Sequence, residues 1–165
     1  MFIILEMFHE FILNNNHIEK WVITAAHCTQ GNYAKNLQIR IGSSKYSSGG
    51  IVIKVKNIIQ HEDFDFSNID YDYSLLELSE SIKFTNQTNK IALPEQDEVV
   101  DDNSLCLVSG WGNTQSSSES REKLRAAYVP SVNQTECANA YQDFGGITPR
   151  MICAGYKKGG KDGKC

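Results

Sequence analysis

The sequence has no uninterrupted apolar run that approaches the roughly 20 residues a membrane-spanning helix needs. It also lacks a basic excess: 16 Lys and Arg stand against 20 Asp and Glu, a net charge of -4 at pH 7. These two absences give no reason to expect a membrane or a nucleic acid as a partner. With 41% hydrophobic and 22% charged residues, the 165-residue chain has the composition of an ordinary globular protein.

The chain has no C-x-x-C pair, so a zinc site built from thiolates is not expected. Its five cysteines are Cys28, Cys106, Cys137, Cys153 and Cys165. Two N-x-T sequons, at Asn86 and Asn133, fit a secreted protein whose cysteines form disulfides. The odd cysteine count then predicts that partners lie outside this chain.

The first 13 residues are apolar but lack the marks of a signal peptide. They have no basic n-region, Glu6, His9 and Glu10 interrupt the apolar run, and no small-residue cleavage site follows. We therefore interpret residues 1–13 as a truncated or mis-joined start, with a signal remnant as the alternative.

Short segments with a period of two predict an all-β fold. Leu37, Ile39 and Ile41 alternate with polar residues, and residues 51–59 are rich in β-branched side chains. Further strands are predicted at Ser74–Leu78 and 105–109, and one short helix at 134–144 with Asn133 as its cap. Polar loops separate the strands, a spacing typical of a sandwich or a barrel.

Four blocks of sequence carry a more specific signal. Residues 21–28 read Trp-Val-Ile-Thr-Ala-Ala-His-Cys, and residues 72–78 read Asp-Tyr-Ser-Leu-Leu-Glu-Leu. Residues 106–112 read Cys-Leu-Val-Ser-Gly-Trp-Gly, and residues 151–165 run from Met-Ile-Cys-Ala-Gly-Tyr to Gly-Gly-Lys-Asp-Gly-Lys-Cys. In this order and spacing, the blocks resemble those of the trypsin-like, chymotrypsin-fold serine proteases from about residue 11 to residue 165. Residues 93–98 and the Gly-Asn-Thr-Gln after Trp111 are most similar to arthropod digestive trypsins.

The resemblance implies two antiparallel Greek-key β-barrels, both incomplete in this chain. Residues 1–105 would belong to the N-terminal barrel and residues 106–165 to the C-terminal barrel, together forming one peptidase domain. It also implies a disulfide between Cys137 and Cys153, while the family partners of the other three cysteines would lie outside this chain.

In a serine protease a nucleophilic serine gives its proton to a histidine, and a carboxylate holds that histidine in the correct tautomer. The resemblance assigns His27 as the general base and Asp72 as the orienting carboxylate. Three nearby acids (Asp63, Asp65 and Asp70) are interpreted as a solvated loop, and His61 as a structural residue.

The resemblance also implies a primary specificity pocket with Asp162 at its base. A carboxylate there selects Arg or Lys through charge-assisted hydrogen bonds. The family has one residue between this aspartate and the next cysteine, whereas this chain has Gly163 and Lys164. If Cys165 sets the register, Gly163 lies at the pocket base instead; we favour Asp162.

No Gly-Asp-Ser-Gly-Gly nucleophile motif occurs in the sequence. The expected function is therefore that of a trypsin-like endopeptidase in the complete protein, with the chain as given expected to be inactive. One alternative is a non-catalytic protease homologue that acts as a binding or regulatory module. A cysteine peptidase that uses Cys165 with His27 is a further alternative.

The resemblance implies a secreted, extracellular protein, in a digestive lumen or a haemolymph-like fluid, and a monomer when complete. Its expected partners are protein or peptide substrates with Arg or Lys, and protein protease inhibitors. No cofactor is expected. The family's calcium loop would fall near residues 42–50, which contain no acidic residue, so no metal is expected either.

Overall fold

Antiparallel β-strands form most of the regular structure in the computed structural model, which describes residues 18–156. The strands are β1 Trp21–Thr24, β2 Gln38–Ile41, β3 Ile51–Gln60, β4 Ser74–Leu78, β5 Leu105–Gly110 and β6 Arg125–Pro130. The helices are α1 Ala26–Thr29 and α2 Gln134–Tyr141, with 3-10 turns at Ile18–Lys20, Ala34–Asn36 and Gln142–Phe144. The prediction of an all-β class with one short helix near 134–144 is confirmed. The predictions for residues 1–13, Asp162, Gly163 and Cys165 fall outside the described residues.

The chain divides into two compact units on either side of the bond between Pro94 and Glu95. Strands β1 to β4 belong to the first unit, and β5, β6 and α2 to the second. Neither helix within residues 18–156 has the length and apolar character that crossing a bilayer requires.

The first unit is a four-stranded antiparallel sheet in the order β1-β4-β3-β2. Strand β4 lies between β1 and β3, and its side chains alternate between buried and half-buried positions. Every second residue of these strands points to one apolar core, because successive side chains of a strand face opposite sides. The core residues are Val22, Leu37, Ile39, Ile53, Val55, Leu76, Leu78 and Ile82.

A β-bulge bends strand β3 where it leaves β2 and joins β4. Val55 pairs with Leu78, but the next residue of β4, Glu77, pairs with Asn57, so Lys56 is the extra residue. Both Lys56 and Asn57 consequently reach the Glu77 carboxylate, and the Lys56 Nζ lies 2.6 Å from Oε1. These two hydrogen bonds hold the pKa of Glu77 below its usual range, with the Lys56 charge adding to the effect.

Replacing Glu77 with Gln is expected to destabilise the first unit at neutral pH and to have a smaller effect in acid. Because the folded-state pKa of Glu77 is lowered, its stabilising contribution is present above the unfolded-state pKa and is lost as pH falls through the folded-state pKa. Urea unfolding of both proteins at neutral pH, and again below the ordinary glutamate pKa, measures this difference. Glu80→Gln, at an exposed site after β4, is the control. An equal penalty at both pH values would contradict the expectation.

The second unit is built on the antiparallel pair β5–β6, with Cys106 opposite Val129. Ser131 follows β6 and is buried; its hydroxyl donates to the Asp101 carbonyl at 2.7 Å and accepts from the Ser104 amide at 3.0 Å. Trp111, interpreted from the sequence as a packing residue, is also buried.

Helix α2 is anchored near its N-terminus by a side-chain cap and by a disulfide. The Asn133 side chain accepts hydrogen bonds from the amides of Thr135 and Glu136, so it satisfies two donors that the helix itself leaves free. Cys137, in the first turn, forms a disulfide with Cys153 across a sequence separation of 16. The predicted cap and the implied disulfide are therefore both present in the structure.

Candidate active site

The antiparallel pairing of β1 with β4 brings His27 and Asp72 together, beyond the end of β1 and just before the start of β4. Thr24, the last residue of β1, pairs with Ser74, the first residue of β4. Because the strands run in opposite directions, the residues that follow β1 lie beside those that precede β4. His27 follows β1 by three positions and Asp72 precedes β4 by two, although 45 positions separate them in the sequence.

A single helical turn, α1, presents the His27 side chain. Ala26, the first residue of this turn, is fully buried, and its carbonyl accepts from the Thr29 hydroxyl at 3.0 Å and from the Gln60 side-chain amide at 2.8 Å. A larger side chain at this fully buried position would have to displace its packed neighbours. The small residue before His27 thus lets the turn pack against β3 while the imidazole points outward.

Both carboxylate oxygens of Asp72 are engaged by His27. The His27 backbone amide donates to Oδ1 at 2.8 Å, and the imidazole Nδ1 lies 2.7 Å from Oδ2. The Asp72 side chain is 19% exposed, whereas the His27 side chain is 49% exposed. A carboxylate accepts and cannot donate, so Nδ1 carries the proton and Nε2 is left as the basic nitrogen.

Cys28 contacts that basic nitrogen, a feature that the sequence analysis did not predict. Its Sγ lies 3.4 Å from the His27 Nε2, so the thiol is the donor in this tautomer. Burial raises the pKa of the Cys28 thiol, and the Asp72 charge raises it further. The thiol therefore stays protonated at neutral pH, unlike the thiolate that a cysteine nucleophile requires.

The three acids interpreted as a solvated loop are more ordered than expected. The Asp65 carboxylate accepts from the Ser67 and Asn68 side chains, and these hydrogen bonds lower its pKa. Its backbone also exchanges two hydrogen bonds with Asp70. The Asp63 side chain remains largely exposed.

No cluster of three or more His, Cys, Asp or Glu side chains is placed to hold a metal ion between residues 18 and 156. Cys28 and Cys106 have no disulfide partner in that part of the chain. The hydrogen-bonded pair His27–Asp72 is thus the arrangement with clear chemical capacity: an accessible base held in one tautomer by a shielded carboxylate.

A protein-family model described as Trypsin matches residues 13–165. The chain belongs to the trypsin family. This confirms the family resemblance.

Individual relatives in the trypsin family agree. Trypsin 5G1 of Aedes aegypti is 53% identical over 144 residues, which cover 87% of this chain and 54% of that protein. A trypsin of Simulium vittatum is 43% identical over 143 residues, covering 87% of this chain and 58% of that protein. The chain therefore spans a little over half the length of these curated relatives.

A solved structure shares the fold. The scabies mite inactivated protease paralogue S-D1 superposes with a TM-score of 0.77 at 28% identity, covering 85% of this chain and 61% of that one. The trypsin-like fold predicted from the sequence is confirmed. The neighbour's name also shows that a protease fold of this kind occurs in a protein described as inactivated.

Proposed function

We propose that the full-length protein is a secreted serine endopeptidase that cleaves protein and peptide substrates after Arg or Lys. The observation that carries the proposal is the hydrogen bond between the His27 Nδ1 and the Asp72 Oδ2 at 2.7 Å. In a general acid–base mechanism this bond fixes the tautomer in which Nε2 accepts a proton.

The chemistry proceeds through an acyl-enzyme. A serine hydroxyl, supplied by polypeptide beyond the sequence given, attacks the scissile carbonyl while the His27 Nε2 accepts its proton. The imidazolium that forms is stabilised by the Asp72 carboxylate, and it then gives the proton to the leaving amine. Water repeats the cycle on the acyl-enzyme and releases the second product. The half-exposed His27 side chain and the more shielded Asp72 carboxylate suit these two roles.

Specificity for Arg or Lys is proposed from Asp162, which lies outside the described residues. A carboxylate at the base of a pocket binds a guanidinium or ammonium through charge-assisted hydrogen bonds. If Gly163 occupied that place, the pocket would have no charge to pair, and substrates with Arg or Lys would not bind better than others.

We propose no cofactor for this chemistry. A monomer is proposed for the complete protein, with protein protease inhibitors as further partners.

A non-catalytic protease homologue is the second candidate function, since a solved structure with the same fold is described as inactivated. The intact pair of His27 and Asp72 argues for catalysis, because a binding module needs neither a base nor its orienting carboxylate.

Expression of the full-length reading frame, followed by activation, tests the proposal with reporter peptides that differ only in the residue before the scissile bond. We expect Arg and Lys peptides to be cleaved and Leu or Phe peptides to be poor substrates, with labelling by a fluorophosphonate probe. The 165-residue chain alone, which has no Gly-Asp-Ser-Gly-Gly motif, should not be labelled and is the matched control. Absence of labelling in the full-length protein would favour the binding module, and cleavage without a preference for Arg or Lys would exclude Asp162 as the pocket base.

A further inference from the structure

The backbone immediately before Asp72 is strained. Tyr71 has φ 51°, in the left-handed region, and Ile69, two residues earlier, has φ 53°. A bulky residue rarely adopts this conformation, because its Cβ crowds the backbone. Such a conformation persists only where the surroundings enforce it, and enforced strain of this kind clusters at functional sites. Something in the structure must therefore hold Tyr71 in place.

His61 is the residue that contacts both neighbours of Asp72. Its imidazole stacks on the Tyr71 ring, with centroids 4.6 Å apart and planes inclined by 10°. The same imidazole meets the Tyr73 ring edge-on, with centroids 4.5 Å apart. We call these three residues, His61, Tyr71 and Tyr73, the aromatic clamp. Aromatic pairs in these two geometries attract each other beyond the area they bury.

Backbone hydrogen bonds complete the clamp. The His61 amide donates to the Tyr73 carbonyl at 3.1 Å, and the Tyr73 amide donates to the Tyr71 carbonyl at 2.8 Å. The Tyr71 amide in turn donates to the Asp70 Oδ1 at 2.9 Å. The peptide groups on both sides of Asp72 are therefore tied down, which leaves its side chain little freedom to move away from His27.

His61 is itself held by two further hydrogen bonds. It directly follows strand β3, and its Nδ1 accepts from the Asp63 amide at 3.1 Å. Its carbonyl accepts from the Phe64 amide at 3.1 Å. The clamp thus transmits the position of β3 to the segment that carries Asp72.

We propose that His61 is a positioning residue for Asp72. By stacking on Tyr71 and abutting Tyr73, it holds the strained segment that aims the carboxylate at His27. The role rests on the proposed function, since orienting Asp72 matters for catalysis only if His27 acts as a base. A carboxylate displaced by about 1 Å would lose its hydrogen bond to Nδ1, and displacements of this size can lower turnover about 100-fold.

His61→Ala and His61→Phe test the proposal in two measurements. The first follows the His27 Nδ1 proton by NMR in the 165-residue chain, where a proton bound to a carboxylate resonates far downfield. The second measures kcat and KM in the full-length protein. We expect His61→Ala to lose the downfield resonance and to lower kcat about 10- to 100-fold with KM unchanged. His61→Phe keeps the stacked ring and should retain most of both.

A core variant separates positioning from general destabilisation. Ile39→Val removes one methyl group from the core of the same unit and does not touch the clamp; it should lower the unfolding midpoint but preserve the resonance.

If His61→Ala does not fold, Tyr71→Gly removes the stacked ring while relieving the strain, and should lose the resonance in a folded protein. Retention of the resonance in His61→Ala, or in Tyr71→Gly, overturns the proposal. An inactive full-length protein would refute the proposed function alone, because the NMR measurement does not depend on activity.

Discussion

Replacing Asp72 with Asn in the full-length protein is expected to lower kcat about 10,000-fold, which is the loss typical of replacing the triad aspartate of a serine protease with asparagine. An asparagine keeps the shape of the side chain, but the amide nitrogen it can place opposite the His27 Nδ1 is a donor. The imidazole then carries its proton on Nε2 to accept that hydrogen bond. In this tautomer Nε2 has no lone pair with which to accept the serine proton.

Steady-state kinetics with an arginyl reporter peptide measure this loss. KM should change little, since the carboxylate acts on the imidazole and not on the bound substrate. Asp143→Asn, at an exposed site in the 3-10 turn after α2, is the chemically matched control and should retain full activity. If Asp72→Asn kept kcat within about tenfold of the parent, the hydrogen bond between Asp72 and His27 would not be the orienting contact.

Truncation of Leu76 to Ala is expected to destabilise the first unit by about 4 kcal/mol. Leu76 is fully buried on β4, the strand that pairs with both β1 and β3, and its side chain belongs to the apolar core. Removing it costs the transfer free energy of the lost methyl groups and leaves a cavity that flanking strands cannot close. Since domains are stable by roughly 5–15 kcal/mol in total, this single change removes a large share of the stability.

Urea denaturation of the 165-residue chain measures the change in the free energy of unfolding. Leu93→Ala is the matched control, because the same atoms are removed from a side chain that is 40% exposed. Its penalty should stay well below that of Leu76→Ala. Similar penalties for the two variants would mean that β4 is not the centre of the core.

The sequence predicted two strands with bounds close to those observed. Ser74–Leu78 was predicted with the bounds that the structure gives to β4, and the predicted strand at 105–109 is one residue shorter than β5. Strand β6, Arg125–Pro130, was missed. The consecutive Ala126 and Ala127 give no apolar alternation, and the segment becomes a strand because it pairs with β5 along its full length.

The bulge in β3 is a second feature that periodicity alone could not reveal. Ile53 and Val55 face the core, but beyond Lys56 the inward position shifts to Ile58. One extra residue in a strand reverses the facing of every later side chain. The predicted helix at 134–144 likewise divides into α2 and a 3-10 turn, which Gly145 ends with φ 97°.

For this protein, the sequence by itself determined the family, the all-β class, and the two residues His27 and Asp72 as candidates for the site. It could do so because short motifs around a histidine and an aspartate are tied to one chemistry and keep their order along the chain. Only the tertiary structure decided how these residues meet. Antiparallel pairing of β1 with β4 brings together side chains 45 positions apart, and the packing of His61 on Tyr71 and Tyr73 holds a strained segment beside Asp72. Neither contact is local in sequence, so neither leaves a pattern that local propensity or periodicity can detect.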